Sequence, residues 1–142
     1  MVDMNSFRDE PLGYLLHRVT AALRTEVAAT VLGPADLASS AYLCLRMLSR
    51  SPKSNAELAR EAQVSPQAMN KVVRELQERG LVTRPATVSS GRSLPATLTR
   101  EGVTTLARLD PAVVKAEDRV LARLDDHDRH ELRRLLVAAL PR

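Results

Sequence analysis

The chain has 142 residues, 44% of them hydrophobic and 27% charged, with a formal net charge of +4, a composition typical of one folded domain and unlike a disordered chain. No segment approaches the roughly 18 consecutive apolar residues of a membrane span, and the amino terminus lacks a secretion signal, so we expect no membrane association. A single cysteine, Cys44, excludes an internal disulfide and favours a cytoplasmic protein.

Two amphipathic helices are predicted in the first third of the chain. Between residues 12 and 31, apolar side chains recur with the spacing of a helix that buries one stripe, and Gly33 ends it. A second, shorter helix is expected over about 39–48, with Cys44 as a core residue. On the first helix, His17 fits either a ligand pocket or an interface, and the sequence does not choose between them.

Two further helices are predicted from their caps. Ser54 and Glu57 form a capping box that begins a helix running to about residue 62. Ser65 followed by Pro66 then caps a helix over roughly 66–79, because a proline at the first helical position loses no hydrogen bond. Gly80 supplies the left-handed residue that ends this helix.

After Gly80 the apolar period shortens to two, which predicts strands at 81–84 and 94–99 joined by a loop at 87–93. Thr99 caps the next helix, which Pro111 is expected to kink or interrupt. A last helix begins at Asp125 and carries an apolar stripe at Leu132, Leu135, Leu136, Ala139 and Leu140.

This order of elements is that of a winged helix-turn-helix, and the predicted fold is mainly α with a small β-hairpin wing. We expect residues 1–142 to form a single domain, in which 39–99 is the DNA-binding lobe. Residues 5–33 with 100–142 form a helical dimerisation lobe, because the apolar stripes of the terminal helices exceed what a winged helix can cover. The alternative is a monomer that packs its own terminal helices together.

The helix over 66–79 has two unlike faces. Its apolar face is Met69, Val72, Val73 and Leu76, and its opposite face carries Gln67, Asn70, Lys71, Arg74 and Glu78. Amides pair with adenine edges, and cations pair with guanine edges or phosphates, so this face suits the major groove of DNA. A face that is merely solvated is the alternative for an isolated helix, but the flanking helix, turn and wing favour DNA binding.

Charge and aromatic content favour duplex DNA as the partner. Residues 53–99 carry seven basic side chains against four acidic ones, which places most of the excess charge around the predicted wing and helices. The chain has three aromatic residues, Phe7, Tyr14 and Tyr42, too few for the stacking surface of a single-strand binder.

From residue 45 to residue 99 the chain resembles the MarR family of transcription regulators. The shared segments are Leu-Arg-x-Leu at 45–48, Ala-Glu-Leu-Ala at 56–59, Val-Ser at 64–65 and Arg-Gly-Leu-Val at 79–82. The resemblance implies a cytoplasmic homodimer that binds an inverted repeat, mostly as a repressor, and that a small phenolic ligand often releases.

The resemblance also assigns residues. It places the helix over 66–79 in the major groove and the wing arginine, Arg92, in the neighbouring minor groove. The family commonly has Asp-x-Arg in the wing, whereas this chain has Ser90-Gly91-Arg92 and lacks the acidic brace. The candidate DNA-binding residues are Ser65, Gln67, Asn70, Lys71, Arg74 and Arg92.

Other functions find less support. The sequence has no phosphate-binding glycine loop and no pairing of base and nucleophile, so we expect neither an enzyme nor a bound cofactor. His127 and His130, beside Asp126 and Glu131, have the spacing of a metal site but are more simply explained as a solvated helix start. The competing function is a winged helix that binds protein without DNA, against which Lys71, Arg74 and Arg92 argue.

Overall fold

The computed structural model describes residues 3–85 and 94–142. Within these ranges the chain forms six α-helices and one antiparallel hairpin, which confirms the mainly helical winged fold. A 3-10 turn at Met4–Phe7 precedes the first helix, and a π-helical segment at Ala28–Leu32 extends it. In chain order the elements are α1 Leu12–Val27, α2 Ser39–Leu48, α3 Asn55–Ala62, α4 Pro66–Glu78, β1 Val82–Thr83, β2 Thr97–Leu98, α5 Arg100–Val120 and α6 Asp126–Ala139.

Hydrogen bonds confirm the predicted ends of α3 and α4. Ser54 Oγ accepts a hydrogen bond from Glu57 N at 3.2 Å, and Ser54 N donates to Glu57 Oε1 at 3.1 Å. The hydrogen bonds from Ser54 hold the pKa of Glu57 below its usual range. Ser65 Oγ accepts from Ala68 N at 3.1 Å and caps α4, and Gly80 follows α4 with a φ of +75°.

The last two helices also begin where the sequence predicts. Thr99 Oγ1 accepts a hydrogen bond from Gly102 N at 3.0 Å and caps α5. Asp125 Oδ1 accepts from Asp128 N at 2.8 Å within a second capping box, which begins α6. Each cap satisfies a backbone N–H that the first turn of a helix leaves unpaired.

Helix α5 runs through Pro111 as one element, so of the two expected effects of this proline, a kink or an interruption, the interruption does not occur. Pro111 and Ala107, whose carbonyl lacks its usual helical donor, are both exposed, so water can satisfy that carbonyl. Leu109 and Val113 are buried on either side of the proline and hold the helix against the core.

The hairpin is shorter than the predicted strands at 81–84 and 94–99, since β1 and β2 each have two residues. At the outer ends, one backbone group of each strand serves a helix. Leu81 N donates to Leu76 O at 3.0 Å to close α4, and Thr99 O accepts from Val103 N at 3.0 Å in the first turn of α5, while Thr99 N still donates to Leu81 O across the hairpin at 3.1 Å.

A third segment joins this hairpin beside β2. Ala96 N donates to Lys53 O at 2.8 Å, and Lys53 N donates to Ala96 O at 3.2 Å, so the α2–α3 loop forms a bridge to the wing. The predicted loop at 87–93, with Arg92, lies outside the residues that the structure describes.

The buried core is built by α2, α3, α4 and α5 with the end of the first helix. Leu32, Leu45, Leu58 and Leu76 are among its most enclosed members, with relative exposures of 2% or less. Helix α6 contributes no buried residue, although its sequence carries an apolar stripe. The core therefore centres on the winged helix, and α6 projects from it.

The side chain of Arg129 joins α6 to the end of α5. Arg129 Nη1 donates to Asp118 Oδ1 at 2.8 Å, and Arg129 Nη2 donates to Leu121 O at 3.2 Å. A cation beside the unpaired carbonyls of a helix end is favourable, so these contacts fix the corner between α5 and α6.

Candidate nucleic-acid interface

Helices α3 and α4 are joined by a short turn. Gln63 follows α3 with a φ of 57°, in the left-handed region, and Val64 N donates back to Ala59 O at 3.0 Å. Ser65 then caps α4. Glycine is the residue that usually adopts this left-handed conformation. Because a glutamine adopts it here, the sequence did not predict that Gln63 would be left-handed.

Helix α4 packs one face on the core and presents the other to solvent. Met69, Val73 and Leu76 are buried, with exposures of 1%, 0% and 1%, and Val72 packs half-buried beside them. The predicted apolar face is therefore confirmed. The exposed residues Gln67, Lys71, Arg74 and Glu78 lie on the other side, while Asn70 lies at the border and is half-buried.

The amide and cationic side chains of this outer face have no hydrogen-bond or ion-pair partner in the part of the chain that the structure describes. Within residues 3–85 and 94–142, Gln67, Asn70, Lys71 and Arg74 make no side-chain hydrogen bond or ion pair. Ser65 differs, because its Oγ already accepts the capping hydrogen bond, which leaves its hydroxyl proton free to donate. The outer face thus offers two cations and two amides whose hydrogen-bonding groups are available to a ligand.

A cavity of about 590 Å³ that the sequence did not reveal lies behind α4. Arg24 of α1, Tyr42 of α2, Val72 of α4 and Glu117 of α5 are among its lining residues. Burial raises the pKa of Glu117 above its usual range, against a smaller opposing effect of Arg133. Because the lining comes from several helices, no single stretch of sequence signals the cavity.

Neither His17, whose role the sequence left open, nor the predicted core residue Cys44 points to a reactive site. His17 is exposed on α1 and does not line the cavity behind α4. Cys44 is fully buried, as predicted, and burial raises the pKa of its thiol to about 11. A cationic neighbour that the sequence did not reveal, Arg84, lowers that pKa, but the effect of burial is larger.

In the part of the chain that the structure describes, no group of three or more histidine, cysteine, aspartate or glutamate side chains could hold a metal ion. The helix with His127 and His130 instead begins with the aspartate capping box. No helix in residues 3–85 and 94–142 combines the length and apolarity needed to cross a membrane.

Comparisons with known proteins agree with this fold. A model of the MarR family matches residues 35–93. The HTH-type transcriptional repressor Rv2887 of Mycobacterium tuberculosis is 58% identical over 130 residues, which cover 90% of this chain and 92% of the repressor.

Crystal structures of the M. tuberculosis MarR family protein Rv2887 are similar along most of the chain. In its complex with salicylic acid, that protein is 55% identical with a TM-score of 0.78, and the match covers 92% of this chain and 97% of the other. In its complex with DNA, it is 50% identical with a TM-score of 0.76, and the match covers 92% and 98%.

Proposed function

This chain belongs to the MarR family, and we propose that it is a transcriptional repressor that binds a specific double-stranded DNA sequence as a homodimer. The observation that carries the proposal is the outer face of α4, where Lys71 and Arg74 stand without partners in the described structure while the opposite face is anchored in the core. A related repressor has been crystallised with DNA. Transcription regulation, rather than catalysis, is the function that this arrangement supports.

The side chains of α4 have different proposed roles. Gln67 and Asn70 would contact base edges from near the amino end of the helix, where such helices approach the bases. Lys71 and Arg74 would bind phosphates or guanine edges, and the hydroxyl proton of Ser65 would donate to a phosphate. Arg92 would bind in the minor groove from the wing.

The exposed apolar residues outside the core support a dimer. In α1, Leu12, Leu16 and Val19 are 77%, 48% and 41% exposed, and in α6 Leu135 and Leu136 are 54% and 44% exposed. A second copy would cover these faces, since unpartnered apolar surface of this kind marks an interface. Residues 39–99 would then be the DNA-binding lobe, and 5–33 with 100–142 the dimerisation lobe.

Replacing Asn70 with alanine should relax sequence preference. The DNA for this test is a duplex that the wild-type protein selects from a random-sequence library, here called the selected duplex, and a scrambled duplex of the same composition. Loss of an amide that contacts a base should cost about 1–3 kcal/mol on the selected duplex and much less on the scrambled one. Mobility-shift titration of both duplexes measures the difference.

The control for Asn70 is Lys71→Ala, at the next position on the helix. If Lys71 binds phosphate, its loss should weaken both duplexes alike and flatten the dependence of affinity on salt. If Asn70→Ala loses the same affinity on both duplexes, Asn70 does not contact a base.

The cavity behind α4 supports release by a small aromatic acid. Its wall includes Met69 and Val72 from the inner face of α4, so an occupant would touch the same helix that we propose enters the groove. Among the lining residues, Arg24 offers a cation to a carboxylate. A related protein has been crystallised with salicylic acid.

Sodium salicylate should raise the melting temperature of the DNA-free protein and weaken its binding to the selected duplex. Arg24→Gln should reduce salicylate affinity roughly tenfold or more, because a hydrogen bond to a charged group contributes about 1.5–3 kcal/mol. Arg18→Gln, on the same helix but away from the cavity lining, is the control and should respond as the wild type does. If salicylate shifts neither melting nor DNA binding, this ligand proposal is wrong.

A further inference from the structure

Both ends of α4 are attached to other parts of the chain by polar side chains. At the amino end, Asn55 Nδ2 donates to the carbonyl of Pro66 at 3.0 Å. Beyond the carboxyl end, Arg79 Nη1 and Nη2 donate to the carbonyls of Asp36 and Ala35, the latter at 3.3 Å. None of the DNA-binding roles proposed above involves Asn55 or Arg79.

At the amino end, Asn55 joins the beginnings of α3 and α4. Asn55 is the first residue of α3 and Pro66 the first of α4, so the hydrogen bond fixes one helix start against the other. The second amide atom, Asn55 Oδ1, is enclosed and accepts no hydrogen bond from a described residue. A single hydrogen bond of this kind adds little net stability, so the contact is better explained by how it places the two helix starts than by the stability it adds.

At the other end, Arg79 connects α4 to the turn that follows the first helix. That turn is well defined, because Leu37 N donates to Leu32 O at 2.9 Å and Asp36 has a φ of 52°. The guanidinium of Arg79 bonds two successive carbonyls of the turn, a geometry that suits the fork of an arginine and not a lysine ammonium. Arg79 therefore differs from Lys71 and Arg74, which have no partner in the described structure.

We propose that Asn55 and Arg79 are positioning residues that set the direction of α4 and thereby sequence specificity, without contacting DNA. The proposal rests on the function proposed above. Base contacts are lost when a side chain is displaced by a fraction of an ångström or turned by a few degrees, whereas phosphate contacts tolerate such movement. Loosening either end of α4 should therefore weaken the selected duplex and leave the scrambled duplex almost unaffected.

Arg79→Lys is the main test, since it keeps the charge and removes the fork. We expect affinity for the selected duplex to fall about tenfold, affinity for the scrambled duplex to change less than about twofold, and the salt dependence to stay the same. Arg108→Lys is the matched control, because Arg108 lines the same surface groove as Arg79 but lies on α5. It should behave as the wild type does.

Asn55→Ala tests the other end and separates positioning from stability. The variant loses one hydrogen bond, whose net contribution to stability is small, so its melting temperature should stay close to that of the wild type. Its affinity for the selected duplex should still fall several-fold relative to the scrambled one. Thermal melting of every variant accompanies the titrations.

Three outcomes would overturn the proposal. In the first, Arg79→Lys and Asn55→Ala bind both duplexes as the wild type does. In the second, both variants lose selected and scrambled affinity in proportion to a lowered melting temperature, which would make the contacts merely structural. In the third, Arg79→Gln weakens both duplexes alike and lowers the salt slope by about 0.9, the signature of one lost phosphate contact. If the wild type itself prefers no duplex, the proposed function fails instead.

Discussion

Leu135→Arg and Leu136→Arg should each convert the protein to a monomer and lower its affinity for the selected duplex by about a hundredfold or more. Two joined DNA-binding lobes exceed the affinity of one by about 10²–10⁴, and a monomer loses that advantage. Both leucines lie on α6, which buries no residue in its own protomer, so the substitutions should not unfold the chain.

Sedimentation and DNA titration measure these two effects together. His130→Arg is the matched control, since it places the same charge on an exposed part of α6 away from the apolar stripe. It should leave the dimer intact. If the wild type sediments as a monomer at micromolar concentration, the proposed dimer is wrong. If Leu135→Arg remains a dimer that binds the selected duplex normally, the interface is not formed by α6.

Gly102→Ala should lower the free energy of unfolding by roughly 1–3 kcal/mol, the usual cost of overpacking. A methyl group there would overlap the carbonyl oxygen of Leu81, and it would lie 3.1 Å from the carbonyl carbon and 3.4 Å from Leu98 Cδ2. These neighbours are largely backbone, so the hairpin and α5 must separate. Because Leu81 also closes α4 through its hydrogen bond to Leu76, affinity for the selected duplex should fall as well.

Gly13→Ala provides the control for the glycine substitution. Gly13 lies in the first turn of α1, and a methyl group there would meet nothing within 4 Å. Alanine is the better helix former, so this variant should be neutral or more stable by up to about 1 kcal/mol. Chemical denaturation of the two variants gives the comparison. Equal stability of Gly102→Ala and the wild type would show that α5 does not pack this closely on the hairpin.

The helices were predictable because their signals are local. Ser54, Ser65, Thr99 and Asp125 each cap a helix through a hydrogen bond to a residue three positions later, which sequence alone can suggest. The faces of α4 followed equally from helical spacing, because Met69 and its apolar neighbours had to be buried together.

What the sequence missed depends on residues that are distant along the chain. Arg79 finds its carbonyl partners 43 and 44 positions away, and the cavity behind α4 draws its lining from five helices. Arg84, which lowers the pKa of Cys44, is likewise distant from it along the chain. The hairpin is shorter than the alternation of apolar residues suggested, and at its outer end Leu81 N and Thr99 O make hydrogen bonds to Leu76 and Val103 of the neighbouring helices.

The most direct test of DNA recognition is titration of the wild-type protein against the selected and scrambled duplexes at several salt concentrations. We expect the selected duplex to bind at least about 10³-fold more tightly, as is usual for specific sites. The logarithm of the affinity for each duplex should fall linearly with the logarithm of salt concentration, with a slope of about −0.9 for each phosphate contact. Failure to select any duplex, equal affinity for the two duplexes, or an affinity that does not change with salt would contradict sequence-specific DNA binding by this chain.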